Sequence, residues 1–306
     1  MQPTEISNNL VSVIMPAYNA QSYIAESIES VLAQTHTNWE LIIVDDNSTD
    51  DTASIIKEFA QKDSRVKYLY QDRGLQGKAR NKAIKNSNGD YIAFLDADDL
   101  WEKAKLQVQI DVIESRPDIS LLFTQGFILQ TDATTTTMDV KVQEWSWQKD
   151  LDLFIAENQI PILSVLVKKQ ALINAGYFSE DPAIQNAEDY HLWIKMLKQS
   201  TFLSLPNRLF YYRVHEQQST YQNSNLSMAV AQAFINLAST QVIDKQNKTL
   251  RTRLKWFIFQ APGVGHYLNR LKAVFTEKAK FLATMIILNK VLKNNIIVKR
   301  LAFQWL

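Results

Sequence analysis

Four short apolar runs, separated by amphipathic or polar stretches, most constrain what this chain can fold into. VSVIMP (Val11 to Pro16), LIIV (Leu41 to Val44), VKYLY (Val66 to Tyr70) and YIAFL (Tyr91 to Leu95) are rich in β-branched and aromatic residues. Runs of this length and composition read as buried strands. Between the first two, Ile24, Ile28, Val31 and Leu32 fall on one helical face. Ser, Thr and Asp start signals precede a helix over Thr52 to Gln61, and a Gly-marked loop leads into another around Lys78 to Asn86. Strands that are apolar throughout and alternate with helices predict an α/β fold, a mostly parallel sheet flanked by helices.

Two of these strands end abruptly in carboxylates: Asp45 and Asp46 after the second, Asp96, Asp98 and Asp99 after the fourth. Ligands of such sheets bind beyond the carboxyl ends of the strands. That edge is therefore equipped for a cation or a hydrogen-bond donor. No G-x-G-x-x-G follows the first strand and no G-x-x-x-x-G-K-[ST] occurs, which removes the main support for dinucleotide and P-loop readings. The chain contains no cysteine, so disulfides, thiolate metal sites and Cys nucleophiles are excluded.

Asp96-Ala97-Asp98 is a D-x-D, a triplet that 19 Asp in 306 residues produce about once by chance. Asp150-Leu151-Asp152 is another and reads as a cap cluster at a helix start. Position sets Asp96 and Asp98 apart, because they follow a buried strand. Two such carboxylates repel unless a cation neutralises them, and all-oxygen ligands favour Mg²⁺ or Mn²⁺. A turn capping the next helix is the alternative reading.

Further on, residues 100 to 115 read as a helix led by Leu100 and Trp101, 120 to 130 as a strand, and 131 to 137 as a polar loop. Leu163 to Val167 reads as a strand, Lys169 to Asn174 as a short helix closed by Gly176, and 186 to 199 as a helix. Two short strands, 202 to 205 and 209 to 212, precede a region after Asn225 that reads as helix almost to the end.

VSVIMPAYNA, LIIVDDNSTDDT, GKARNKAIKNSNGDYIAFLDADD, GYFSE and AEDYHLWIKML occur in that order. In this the chain resembles the family 2 inverting glycosyltransferases, which have the GT-A fold. The resemblance covers about residues 10 to 215. It implies a catalytic domain over 1–225, with a nucleotide-sugar half at about 10–100 and an acceptor half at about 101–225.

The resemblance also implies roles. Pro16, Ala17 and Tyr18 would pack on the nucleotide base, and Asp46 would accept a hydrogen bond from a uracil N–H; an Asx turn with Asn47 and Ser48 is the alternative. Gly74 and Gly77 would allow close backbone approach to the nucleotide, with Lys78 or Arg80 meeting phosphate; a solvated basic helix start is the alternative for Lys78. Asp96 would touch the ribose or a metal-bound water, and Asp98 would bind Mn²⁺ or Mg²⁺. Asp189 would be the general base, with Glu188 binding acceptor or raising the pKa of the base; an acidic first turn facing the helix dipole is the alternative. His215, in a Y-R-x-H segment, would be a third metal ligand or phosphate contact, or else structural. Trp145 and Trp147 favour core packing over an acceptor groove.

The implied partners are a nucleotide-sugar donor, with UDP expected, and a saccharide or lipid-linked saccharide acceptor. A pyrophosphorylase would want a Gly-rich basic loop after the first strand, where this chain has PAYNA. A non-catalytic sugar-nucleotide-binding protein is opposed by the intact Asp98 and Asp189.

Charge divides the chain. From Gln241 onward there are 13 Lys/Arg against 2 Asp/Glu, and before it 20 against 30. Residues 226–306 are thus expected to form a basic helical region. Within it, Leu268, Leu271, Phe275, Leu282, Met285 and Ile286 lie on one face with lysines and arginines opposite. Such a helix suits an anionic membrane surface or a partner, or folds back on the catalytic domain. An acidic body disfavours nucleic acid. MQPTEISNN lacks the features of a signal peptide, and no apolar run reaches about 18 residues. The expected location is cytoplasmic, peripheral on the inner face of the membrane.

Overall fold

The computed structural model describes residues 9–218 and 226–260. Its centre is one sheet. Strands β1 (Val11–Ala17), β2 (Trp39–Asp45), β3 (Val66–Tyr70) and β4 (Tyr91–Phe94) are parallel, in the spatial order β3-β2-β1-β4. Helices α1 (Ile24–Leu32), α2 (Thr52–Lys62) and α3 (Leu75–Lys85) connect them. The apolar runs are continuous because both faces are covered. Ile14, Ile42 and Val44 pack into one core, and Val11, Val13, Leu41 and Ile43 into the other.

Beyond β4 the sheet continues through β9 (Leu166–Lys168), β6 (Ile119–Leu129), β10 (Thr201–Arg213) and the two-residue β5 (Leu100–Trp101). β9 runs antiparallel to both its neighbours, whereas β6 and β10 are parallel. β7 (Thr135–Met138) and β8 (Glu144–Trp145) add at the margins. The remaining helices are α4 (Lys105–Ser115), α5 (Trp147–Ala156), α6 (Lys169–Asn174), α7 (Glu188–Leu197), α8 (Leu226–Ser239) and α9 (Lys248–Gln260).

Five elements differ from the sequence reading, one of them the helix expected to run on from Asn225, which stops at Ser239 and restarts at Lys248. Leu100 and Trp101 pair with β10 instead of leading α4, which starts at Lys105. Thr135 to Met138 pairs with β6, tertiary pairing overriding the polar composition. Residues 162–164 form a 3₁₀ turn, and the strand starts at Leu166. The two short strands after Thr201 are one strand, whose register shifts on either side of Arg208, just past Pro206, which has no N–H to donate. Trp145 is fully buried as expected, donating its Nε1–H to Ser204 at 2.9 Å. The basic amphipathic stretch over 268–292 lies outside the described residues.

At the end of the sheet away from the strand carboxyl termini, Glu40 ties three strands together. It accepts from Ser12 Oγ at 2.6 Å, Lys67 Nζ at 2.6 Å, and the backbone and side chain of Asn88. Burial pushes the Glu40 pKa up, but these bonds outweigh it and hold the group at about 2.

Candidate active site

Because β1, β2 and β4 are parallel, their carboxyl ends share one edge. After β1 the chain presents Tyr18, 44% exposed, and turns at Asn19 with φ near +47°. After β2, Asp45 accepts from Ser48 N and Tyr68 Oη and shapes the turn. Asp46 is buried and accepts four bonds: from Gln71 Nε2 at 2.7 Å, Arg73 Nη1 at 2.5 Å, Gly74 N at 2.7 Å and Leu75 N at 3.0 Å. Leu75 has φ +70°, a conformation costing a leucine about 1–2 kcal/mol. The Asp46 carboxylate offsets that strain by anchoring the loop. Arg73, fixed by Asp46, lays its guanidinium 3.3 Å from the centre of the Tyr18 ring.

After β4 comes the acidic cluster. Asp99 is fully buried and accepts from Arg213 N at 2.8 Å; burial, then Asp98 and Asp96, pushes its pKa well up. Arg213 also donates its Nε–H to Asp98 O, so β10 is stitched to this turn. Asp98 Oδ2 lies 2.9 Å from His215 Nε2, and the imidazole packs on Tyr23 with ring centres 4.4 Å apart. A cleft of about 630 Å³ is bounded by Tyr18, Asp46, Arg73, Asp96, Asp98 and His215.

Arg80, on α3, is almost completely buried. Its Nη2 donates to Asp96 at 2.8 Å and its Nη1 to Glu188 at 2.7 Å. Burial works against its charge, but Asp96 and Glu188 more than offset this and raise its pKa. Asp189, the next residue, faces a second cleft of about 300 Å³, which Asn158, Pro161, Ile162 and Leu163 also line. Asn158 Nδ2 lies 3.3 Å from its Oδ2. Burial, then Glu188, pushes the Asp189 pKa up against the pull of Arg80, to about 7. The two clefts meet at Asp96 and Tyr212. Among the described residues, no three acidic or histidine side chains converge as a ready-made metal cage.

The sequence profile of glycosyl transferase family 2 matches residues 12–179, more than half of the chain. The chain belongs to glycosyltransferase family 2. It is 37% identical over 198 residues to the Escherichia coli UDP-Glc:alpha-D-GlcNAc-diphosphoundecaprenol beta-1,3-glucosyltransferase WfgD, covering 64% of this chain and 73% of that protein. It is 35% identical over 190 residues to the Bacillus subtilis putative teichuronic acid biosynthesis glycosyltransferase TuaG, covering 62% of this chain and 72% of that one. Among solved structures, S. aureus TarS 1-349 in complex with UDP superposes with a TM-score of 0.63 at 21% identity, covering 96% of this chain and 91% of that one. Mannosyltransferase PcManGT from Pyrobaculum calidifontis, with GDP-Man and Mn²⁺, gives 0.54 at 16% identity, covering 96% and 83%. At these identities the structural likeness is one of fold, and the fold is GT-A.

Within this family 2 glycosyltransferase, Pro16, Ala17, Tyr18, Asp46, Asp96, Asp98 and His215 line one cleft, and Glu188 and Asp189 the other. Two residues expected to meet nucleotide are occupied differently. A Cβ on Gly77 would lie 2.3 Å from Ser179 O, so the close approach it permits is to the chain's own backbone. Arg80 gives its guanidinium to two carboxylates rather than facing the first cleft. It is also a fixed cation beside Asp96, so part of the charge of the D-x-D is neutralised by the protein itself. Sequence reasoning overlooked Arg73 and Asn158, and gave Asp99, named at the strand end, no role of its own. Arg73 sits in the loop whose glycines drew notice, while Asn158 carries no local signal because only the fold brings it to Asp189.

Proposed function

We propose that this glycosyltransferase transfers a sugar, with inversion, from a UDP-sugar to a hydroxyl of a lipid-linked saccharide, in cell-surface polysaccharide synthesis. The observation carrying the reading is the junction of the two clefts at Asp96 and Tyr212, with Asp98 and His215 on one side and Asp189 on the other. The names of WfgD and TuaG support the donor, the acceptor class and the process.

In this reading Tyr18 stacks on the base, and Asp46 accepts from its imide N–H once Arg73, the half-exposed member of its four donors, gives way. The diphosphate lies toward Asp98 and His215. Their oxygen and nitrogen atoms, 2.9 Å apart on the cleft wall, suit Mn²⁺ or Mg²⁺, with substrate phosphate and water completing the shell. The cation would supply Lewis-acid neutralisation of the charge building on the leaving diphosphate. Asp189 takes the acceptor hydroxyl proton as that oxygen bonds to the anomeric carbon. The bond from the anomeric carbon to the phosphate oxygen breaks, and its electron pair leaves with the nucleoside diphosphate. Glu188, locked by Arg80, raises the basicity of Asp189 by like-charge repulsion.

The basic stretch after Gln241 is proposed to bring the enzyme to an anionic membrane, where a lipid-linked acceptor is confined; each Lys or Arg near that surface contributes about 1 kcal/mol. Among the described residues no helix is long and apolar enough to cross a membrane.

Thermal shift against a panel of UDP- and GDP-sugars with Mn²⁺ tests the donor assignment. Selective stabilisation by UDP-sugars supports it, and stabilisation by GDP-sugars alone overturns it.

A further inference from the structure

Lys105 is fully buried without a carboxylate among its contacts, and nothing in the chemistry above uses it. A lone amine in a core is destabilising unless its N–H groups find acceptors. Here they find two. Lys105 Nζ donates to Gln109 Oε1 at 2.6 Å and reaches Val165 O at 3.5 Å. Gln109, also fully buried, donates its Nε2–H to Ser164 O at 2.8 Å. Trp101 donates its Nε1–H to Leu163 O at 2.9 Å, and its ring face lies 4.2 Å from Lys105 Nζ.

Leu163, Ser164 and Val165 supply three consecutive carbonyls at the end of the 3₁₀ turn over Ile162–Ser164. Carbonyls at a helix end have no partner within the helix, and in an apolar interior each needs a donor. Here every one meets a side chain from the segment 101–109. The other side of the same turn presents Pro161, Ile162 and Leu163 to the cleft that holds Asp189.

We infer that Trp101, Lys105 and Gln109 are positioning residues that hold residues 161–165 as a fixed wall against which the acceptor sugar is oriented for Asp189. The inference rests on the assignment of this cleft to the acceptor. An acceptor hydroxyl must lie within hydrogen-bond reach of the base, and small displacements of a positioning wall reduce transfer severely. Water needs no such wall. Loosening it should therefore penalise transfer to sugar far more than donor hydrolysis.

The test uses the full chain carrying Lys105→Met, with Trp101→Phe, which removes the indole N–H donor together with part of the ring, as the second variant should the first fail to fold. Transfer from UDP-glucose to a GlcNAc-diphospho-lipid and hydrolysis of UDP-glucose are measured side by side, with UDP affinity by calorimetry. The inference predicts an acceptor KM raised about tenfold, a fall in the transfer-to-hydrolysis ratio, and UDP affinity unchanged within about twofold. An unchanged ratio and acceptor KM, or a parallel loss of UDP affinity, overturns it. Should the unsubstituted chain use neither substrate, the assigned function has failed, and amide hydrogen exchange then decides the matter. Faster exchange at Ser164 and Val165 with unaltered exchange in α7 supports the wall, and unaltered exchange at both residues overturns it.

Discussion

Asp96 and Glu188 are held by a single guanidinium, Arg80, at 2.8 and 2.7 Å. Asp96 follows the strand that carries the D-x-D, and Glu188 opens the helix that carries the proposed base. Arg80 therefore fixes the distance between the cleft proposed for the nucleotide and the cleft proposed for the acceptor.

Removing Arg80 should be severe. Arg80→Met would strand the buried carboxylate of Glu188 and leave Asp96 unpaired, and breaking such a pair costs about 3–5 kcal/mol. Urea denaturation should show the midpoint falling with the slope little changed. A midpoint within error of the parent would mean that the bridge contributes nothing.

Turnover should follow the protonation of Asp189. A base works deprotonated, so kcat/KM for UDP-glucose should rise with pH through about 7, the value that burial and Glu188 impose. Glu188→Gln removes the neighbouring negative charge, so the acidic limb of the profile should move to lower pH. A limb that stays in place under that substitution would separate Glu188 from the base.

Asp98→Asn should weaken Mn²⁺ binding in the presence of UDP, and His215→Ala should do so as well, because both line the same wall 2.9 Å apart. Calorimetric titration of Mn²⁺ into the UDP-loaded variants checks this. Undiminished affinity in the Asp98 variant would remove Asp98 from the site.

Glu40 should govern acid stability. Its folded pKa of about 2 lies below the unfolded value of about 4.3, so its contribution is present above about pH 4.3 and is lost as pH falls toward 2. Glu40→Gln should flatten the pH dependence of Tm over that interval. An unaltered profile would show that other carboxylates carry it.

The parallel half of the fold was legible because each apolar run is buried on both faces and so leaves an unambiguous signal, as Ile42 and Ile43 show by packing into opposite cores. The carboxylates at the strand ends were legible for the same reason, since topology places strand ends. Boundaries set by tertiary pairing were not. Leu100 and Trp101 look helical in isolation and become a strand only because Phe210 and Tyr211 lie beside them. The partners of a charge were not legible either. Arg80 lies 16 residues before Asp96 and 108 before Glu188, and the fold alone decides that it serves them both.

Asp189, the proposed base, is where the transfer mechanism is tested most directly. Asp189→Asn keeps the side chain's size, so UDP affinity by calorimetry should hold within about twofold while kcat falls by roughly 10²–10⁴, the usual contribution of a general base. An Asp189→Asn enzyme that turns over near the parent rate, while Glu188→Gln is the inactive one, would contradict the assignment of the base and with it the division of roles between the two carboxylates.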